Sequence, residues 1–156
     1  MFAVPPNTVA LVSPAAFAHP ALVAAEFARD RDRWRGLLRY DPDRRFAALV
    51  ELTEDQEVWL MGWLPGQGTE LHDHAGTTAA FTVVSGTLTE QVAHPGHHED
   101  VVHTLVAGQS RVFAPGYVHR IHNAGPDPAV SIHVHRVTGP TGGSRRVDRF
   151  TGVELR

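Results

Sequence analysis

Glu57-Val58-Trp59-Leu60-Met61-Gly62-Trp63 is a short apolar run that meets the turn residues Pro65-Gly66-Gln67-Gly68 and re-emerges as Glu70-Leu71-His72-Asp73-His74. A run this short, rich in aromatic and branched residues and bounded by Pro and Gly, reads as a strand rather than a helix. Residues two apart on a strand face the same side. His72 and His74 can therefore aim two imidazoles at one point, while Asp73 faces away.

The same grammar continues outward. Strands are expected over 46–51, 57–63, 70–74, 79–84, 87–92, 101–105, 110–114 and 129–137. Between them lie Ser85-Gly86, Pro95-Gly96, Ala107-Gly108, Pro115-Gly116 and Gly125-Pro126. Many short strands at this spacing predict an all-β sandwich or barrel over 46–137. Upstream, 20–39 reads as helical, with Pro20 in the first turn and Leu22, Phe27, Trp34, Leu37 and Leu38 near one face. Asp41-Pro42-Asp43 ends it. Residues 1–19 read as a Pro-containing arm. The Gly- and Arg-rich tail, 140–156, is expected to cover a sheet edge or to be mobile. The whole, 1–156, is expected to be one domain.

Composition narrows the function. The chain has no cysteine, which excludes disulfides, thiolate metal ligands and a cysteine nucleophile. Its formal net charge of -3 is not that of a nucleic-acid binder. No apolar run nears the roughly 20 residues that span a bilayer, and no leader-like pattern opens the sequence. A cytoplasmic protein, with no membrane or nucleic-acid partner, is expected. The unusual feature is 11 histidines, and their spacing has to say which ones matter. Beyond His72 and His74, the group Pro115-Gly116-Tyr117-Val118-His119, with Asn123 after it, can bring a third imidazole from a neighbouring strand. An all-nitrogen set suits iron, nickel, copper or zinc better than magnesium or calcium. It also leaves a divalent metal its full charge, which favours an anionic ligand such as a thiolate or a chelating acid.

These residues resemble the cupin superfamily, whose fold is a jelly-roll-like β-barrel. Gly66, His72, His74 and Gly86 fit its first motif, and Gly108, Pro115, Gly116, His119 and Asn123 its second. The acidic ligand usual in the first motif is missing: Thr78 or Ala79 stands there. Within cupins, roughly residues 34–140 resemble the bacterial thiol dioxygenases, the cysteine dioxygenase family. The segments that carry this resemblance are 57–69, Ala80-Phe81, Gly86-Thr87-Leu88-Thr89-Glu90 and Pro128-Ala129-Val130-Ser131-Ile132-His133-Val134. The resemblance implies an Fe(II) enzyme that adds both atoms of dioxygen to the sulfur of a small thiol. It implies His72, His74 and His119 as ligands and Ser131 and His133 in a hydrogen-bond chain beside the metal, with His135 at the tyrosine position of that chain. A histidine there could shuttle protons near pH 6.5. The arginine that clamps the substrate carboxylate aligns with Ala48, leaving Arg44, Arg45 or Arg136 to reach in from elsewhere. Ala79 lies near the cysteine that some members cross-link to the tyrosine, so no cross-link can form. Altered substrate handling is therefore expected. The alternatives are a cupin enzyme of another class acting on a chelating small acid, or a non-catalytic metal- or ligand-binding cupin, as a monomer or homodimer.

Overall fold

The computed structural model describes residues 18–94, 96–136 and 145–146. Most of the expected arm and tail thus lies outside the described residues. Among the described residues the chain forms one α-helix, α1 (Pro20–Arg29), two 3-10 turns and ten strands. The first antiparallel sheet runs in the order β1 (Phe46–Leu52), β2 (Gln56–Trp63), β9 (Ala129–Arg136), β4 (Ala79–Ser85), β7 (Ser110–Phe113). The second runs β10 (Arg145–Arg146), β3 (His72–Asp73), β8 (Val118–His122), β5 (Thr87–Ala93), β6 (Val101–Val106). The two sheets share an apolar interior, the expected cupin arrangement. Met61, Trp63, Phe81 and Val83 of the first sheet meet Leu88, Leu105 and Ile121 of the second there.

The central strands β2, β9 and β4 are covered on both faces, and this decides where polar residues can go. On their outer face Val58, Leu60, Val130, Ile132 and Val134 pack against Val23, Ala24 and Phe27 of α1 and against Trp34. Strand periodicity then turns Ser131, His133 and His135 inward, as their spacing predicts. The β4–β5 hairpin needs Gly86, which has φ +74°; a Cβ there would lie 2.6 Å from the Pro128 carbonyl oxygen.

The helical segment is shorter than its periodicity suggests. α1 stops at Arg29, and 31–33 and 35–37 form 3-10 turns. The Trp34 indole donates to the Phe27 carbonyl at 2.7 Å, and this bond folds Trp34 back into the core as the helix ends. Leu22 and Leu37 are consequently exposed rather than part of the buried stripe. Two further corrections concern strands. Of 70–74, only His72–Asp73 is in strand, and β8 is a strand that the alternation did not predict. Its inward positions are His119 and Ile121, so a polar site residue interrupts the apolar pattern. Among the described residues of the tail, Arg145 and Arg146 pair with Asp73 and His72, so that segment does cover a sheet edge.

Candidate metal centre

The second sheet brings the two histidine motifs together. His72 of β3 pairs directly with His119 of β8, so both face the same side. The loop before β3 fixes this register. Thr69 N–H donates to the Ile121 carbonyl, and Ile121 N–H to Thr69 Oγ1. The motif asparagine is structural: the buried Asn123 amide donates to the Trp63 and Asp127 carbonyls, anchoring the chain after β8. His74 follows β3 at a turn held by Thr77 Oγ1, which donates to the His74 carbonyl, and by Asp73 Oδ1, which accepts from Ala75 N–H.

Each imidazole can present one ligand atom so that all three lie within 4.8 Å of one another. His72 Nδ1 lies 2.8 Å from the Glu70 carbonyl; a carbonyl only accepts, so Nδ1 carries the proton and Nε2 keeps its lone pair. His119 Nδ1 lies 2.6 Å from Glu90 Oε2, and its Nε2 lies 3.4 Å from His74 Nε2. His74 Nδ1 is buried without a hydrogen-bond partner, and its ring stacks on Phe113 at 5.3 Å between centroids. Three imidazoles, each presenting one ring nitrogen to a common point, could hold a divalent metal.

The site opens on a cavity of about 280 Å³ whose wall includes Arg45, Met61, His133 and His135 besides the three histidines. That is room for a small molecule. Trp63 Nε1–H donates to Ser131 Oγ at 2.8 Å, and Ser131 Oγ lies 2.7 Å from His133 Nε2. The predicted Ser131–His133 pair is therefore connected and extended to Trp63. His135 shares the cavity wall, its Nε2 buried without a hydrogen-bond partner. Ala79 stands directly opposite His135 in the β4–β9 register, so no covalent link joins those positions.

Of the three arginines left to stand in for a clamp at Ala48, Arg45 is the one on the cavity wall. Ala48 pairs with Leu60 and shares its face, which packs under α1 and not into the cavity. Among the described residues Arg45 is the cation on the cavity wall, its guanidinium carbon 5.1 Å from the Trp63 ring centroid. Its Nε is buried without a hydrogen-bond partner, and burial pushes its pKa down.

Glu90 is the residue that sequence reasoning missed. It is fully buried on β5, bonded through Oε2 to His119 and through Oε1 to Arg111 Nε at 2.7 Å. Arg111 also donates to Tyr117 Oη at 2.9 Å. Burial alone would raise the Glu90 carboxyl, but the bonds from His119 and Arg111 together hold it below its usual range. The signal was available: Leu88, Glu90 and Val92 occupy the buried positions of an alternating strand, and a charge in that row needs a partner.

Burial, aided by the neighbouring His119, pushes His72 down to about 4. His74 and His133 are also lowered by burial, and His135 falls to about 4 for the same reason despite the opposing charge of Glu57. His135 is thus neutral at physiological pH and does not titrate near neutrality as expected. These shifts have a sign for stability. An unfolded imidazole takes up its proton near 6.5, whereas His72 and His135 resist until about 4. As pH falls through that window the unfolded chain binds more protons, so the metal-free protein loses stability, by up to about 1.4 kcal/mol per pH unit per histidine. Denaturant titrations of metal-free protein at about pH 7 and about pH 5 should show a lower midpoint at the acid value. An unchanged midpoint would mean these rings are not held neutral.

The fold is shared widely among solved structures. A protein with a double-stranded β-helix domain from Klebsiella pneumoniae is 27% identical, with a TM-score of 0.60 over 70% of this chain and 84% of that one. TT1209 from Thermus thermophilus is 24% identical, with a TM-score of 0.57 over 65% of this chain and 91% of that one. A recombinant oxalate oxidase in complex with glycolate, at 17% identity and a TM-score of 0.57 over 68% of this chain and 56% of that one, shares the fold alone. No curated protein sequence matches. The sequence model described as cysteine dioxygenase type I matches residues 18–149, a span that contains α1, the three converging histidines, Glu90 and the Ser131–His133 pair. The chain belongs to the cysteine dioxygenase type I family.

Proposed function

We propose that this protein is an iron(II)-dependent dioxygenase of a small anionic thiol, cysteine or a relative of it, with Arg45 holding the substrate's anionic group. The observation that carries the reading is the placement of Arg45 and three converging imidazoles on the wall of one small cavity. Iron held by His72, His74 and His119 would supply a shared site for the thiolate and dioxygen, and the net change is RSH + O2 → RSO2H.

The chain's own residues do the rest. Arg45 has a buried, unpartnered Nε–H beside the cavity, so a bound carboxylate would supply the partner this group lacks. Trp63 and Ser131 fix the orientation of His133, whose ring stacks on Phe81 with centroids 5.0 Å apart. His135 offers a neutral Nε2 with no partner of its own to a group bound in the cavity. A cytoplasmic setting suits the reading, since thiols are kept reduced there.

Oxygen uptake by iron-loaded protein tests it with three thiols: cysteine, 3-mercaptopropionate and cysteamine. Uptake with the first two, matched by sulfinate, is expected, with cysteamine much slower because it lacks a carboxylate. No uptake with any thiol, but turnover of a chelating dicarboxylic acid, would move the protein to another cupin class. His135→Phe should keep its metal and lose turnover by about 1–3 kcal/mol of transition-state binding, roughly 5- to 150-fold. Unchanged kinetics would make His135 a bystander.

A further inference from the structure

Building on the metal-site reading above, we propose that Glu90 is a positioning residue. It holds His119 by its Nδ1–H and supplies, from one bond outside the triad, the negative charge that the missing first-motif acid would have given the metal. The three imidazoles are not equivalent in what stands behind them. His72 is backed by a neutral carbonyl, His74 Nδ1 has no partner, and His119 alone is backed by a carboxylate. An ionised carboxylate accepts and cannot donate, so it fixes the proton on His119 Nδ1 and directs Nε2 at the metal point. A hydrogen bond of 2.6 Å to an anion also makes the imidazole a stronger donor.

A plain ion pair with Arg111 does not account for this geometry. Glu90 is fully buried, whereas the Arg111 side chain is 29% exposed at the sheet edge. An acid serving only Arg111 would keep most of its hydration by staying at that edge; burial of Glu90 is costly unless its second oxygen is needed inside. Each oxygen has one partner, Oε1 on Arg111 and Oε2 on His119. Arg111 keeps the carboxylate ionised, and its own charge is partly met by solvent. Of the two charges, Glu90 is the one bonded to His119 and the one shielded from solvent.

Cobalt(II) titrations of the full chain against a competing chelator, on the parent, Glu90→Gln and Arg111→Gln, test this. Glutamine keeps the shape and can still accept the Nδ1–H, but it removes the charge. The expected result is a roughly 10- to 100-fold weaker cobalt affinity for Glu90→Gln, the usual cost of losing an outer partner. Arg111→Gln, which leaves the carboxylate to His119 alone, should bind at least as tightly as the parent. Equal losses in both variants, or a Glu90→Gln affinity within about twofold of the parent, would reduce Glu90 to a structural ion pair and overturn the proposal. If the parent binds no cobalt, the metal site itself is refuted, and the proposal with it. Should Glu90→Gln fail to fold, the zinc-loaded parent answers alone. A slowly exchanging, far-downfield Nδ1 proton assigned to His119, with zinc on Nε2, is expected. Zinc on Nδ1, or no such proton, would contradict the proposal.

Discussion

Replacing His119 by alanine is expected to leave a folded chain that no longer retains iron. His119 is fully buried, shares the metal point with His74 at 3.4 Å between Nε2 atoms, and pairs with His72 across β3–β8. Its loss leaves two imidazoles, one of them without any partner on its Nδ1. Outer-shell losses already cost 10- to 100-fold in affinity, so the loss of a ligand should exceed about 100-fold and abolish turnover. There is a second, independent cost. One oxygen of the buried Glu90 is left without its donor, worth about 1–3 kcal/mol in the metal-free protein. Elemental analysis after iron loading reads the first effect, and a denaturant titration of metal-free protein the second. Full metal content would refute the ligand set.

The next largest effect is expected from Arg45→Met. If Arg45 holds a substrate carboxylate, its removal should cost about 2–5 kcal/mol of binding, a rise in KM of roughly 30-fold or more for carboxylate-bearing thiols. A thiol without a carboxylate should be almost indifferent to the change. Stability should move the other way. Arg45 is desolvated, and its buried Nε has no hydrogen-bond partner. Methionine keeps much of the contact with Trp63 without a buried charge, so the variant should be as stable as the parent or more so. A KM rise shared equally by thiols with and without carboxylates would place Arg45 in the cavity wall rather than on the substrate.

Much of this was legible in the residues. Ser131, His133 and His135 share one face of β9 as their spacing predicts, His72 and His74 converge although His74 lies just past the end of β3, and turn residues punctuate the sheets at the expected places. What escaped the sequence escaped for physical reasons. β8 was hidden because His119 occupies an inward position where an apolar residue would have marked a strand. The helix was overextended because periodicity does not see the Trp34 indole bonded to the Phe27 carbonyl. With Ala48 at the clamp position, the sequence left Arg44, Arg45 and Arg136 as candidates and could not choose among them, because which one reaches the cavity is set by the fold. Ala48 faces α1, and Arg45 faces the cavity. The apparent lack of an acid in the first motif was read as an uncompensated metal charge. The fold brings Glu90 to His119 from β5, a pairing that no local pattern encodes.

On the proposed function, three imidazoles in this fold hold iron for the addition of dioxygen to a thiol. Turnover of iron-loaded protein with cysteine or 3-mercaptopropionate under labelled dioxygen, 18O2, tests it most directly. The expected product is a sulfinate carrying both labelled atoms, formed in equal amount to the oxygen consumed and absent from His119→Ala. A product with one labelled atom or none, or the same product from His119→Ala, would contradict it.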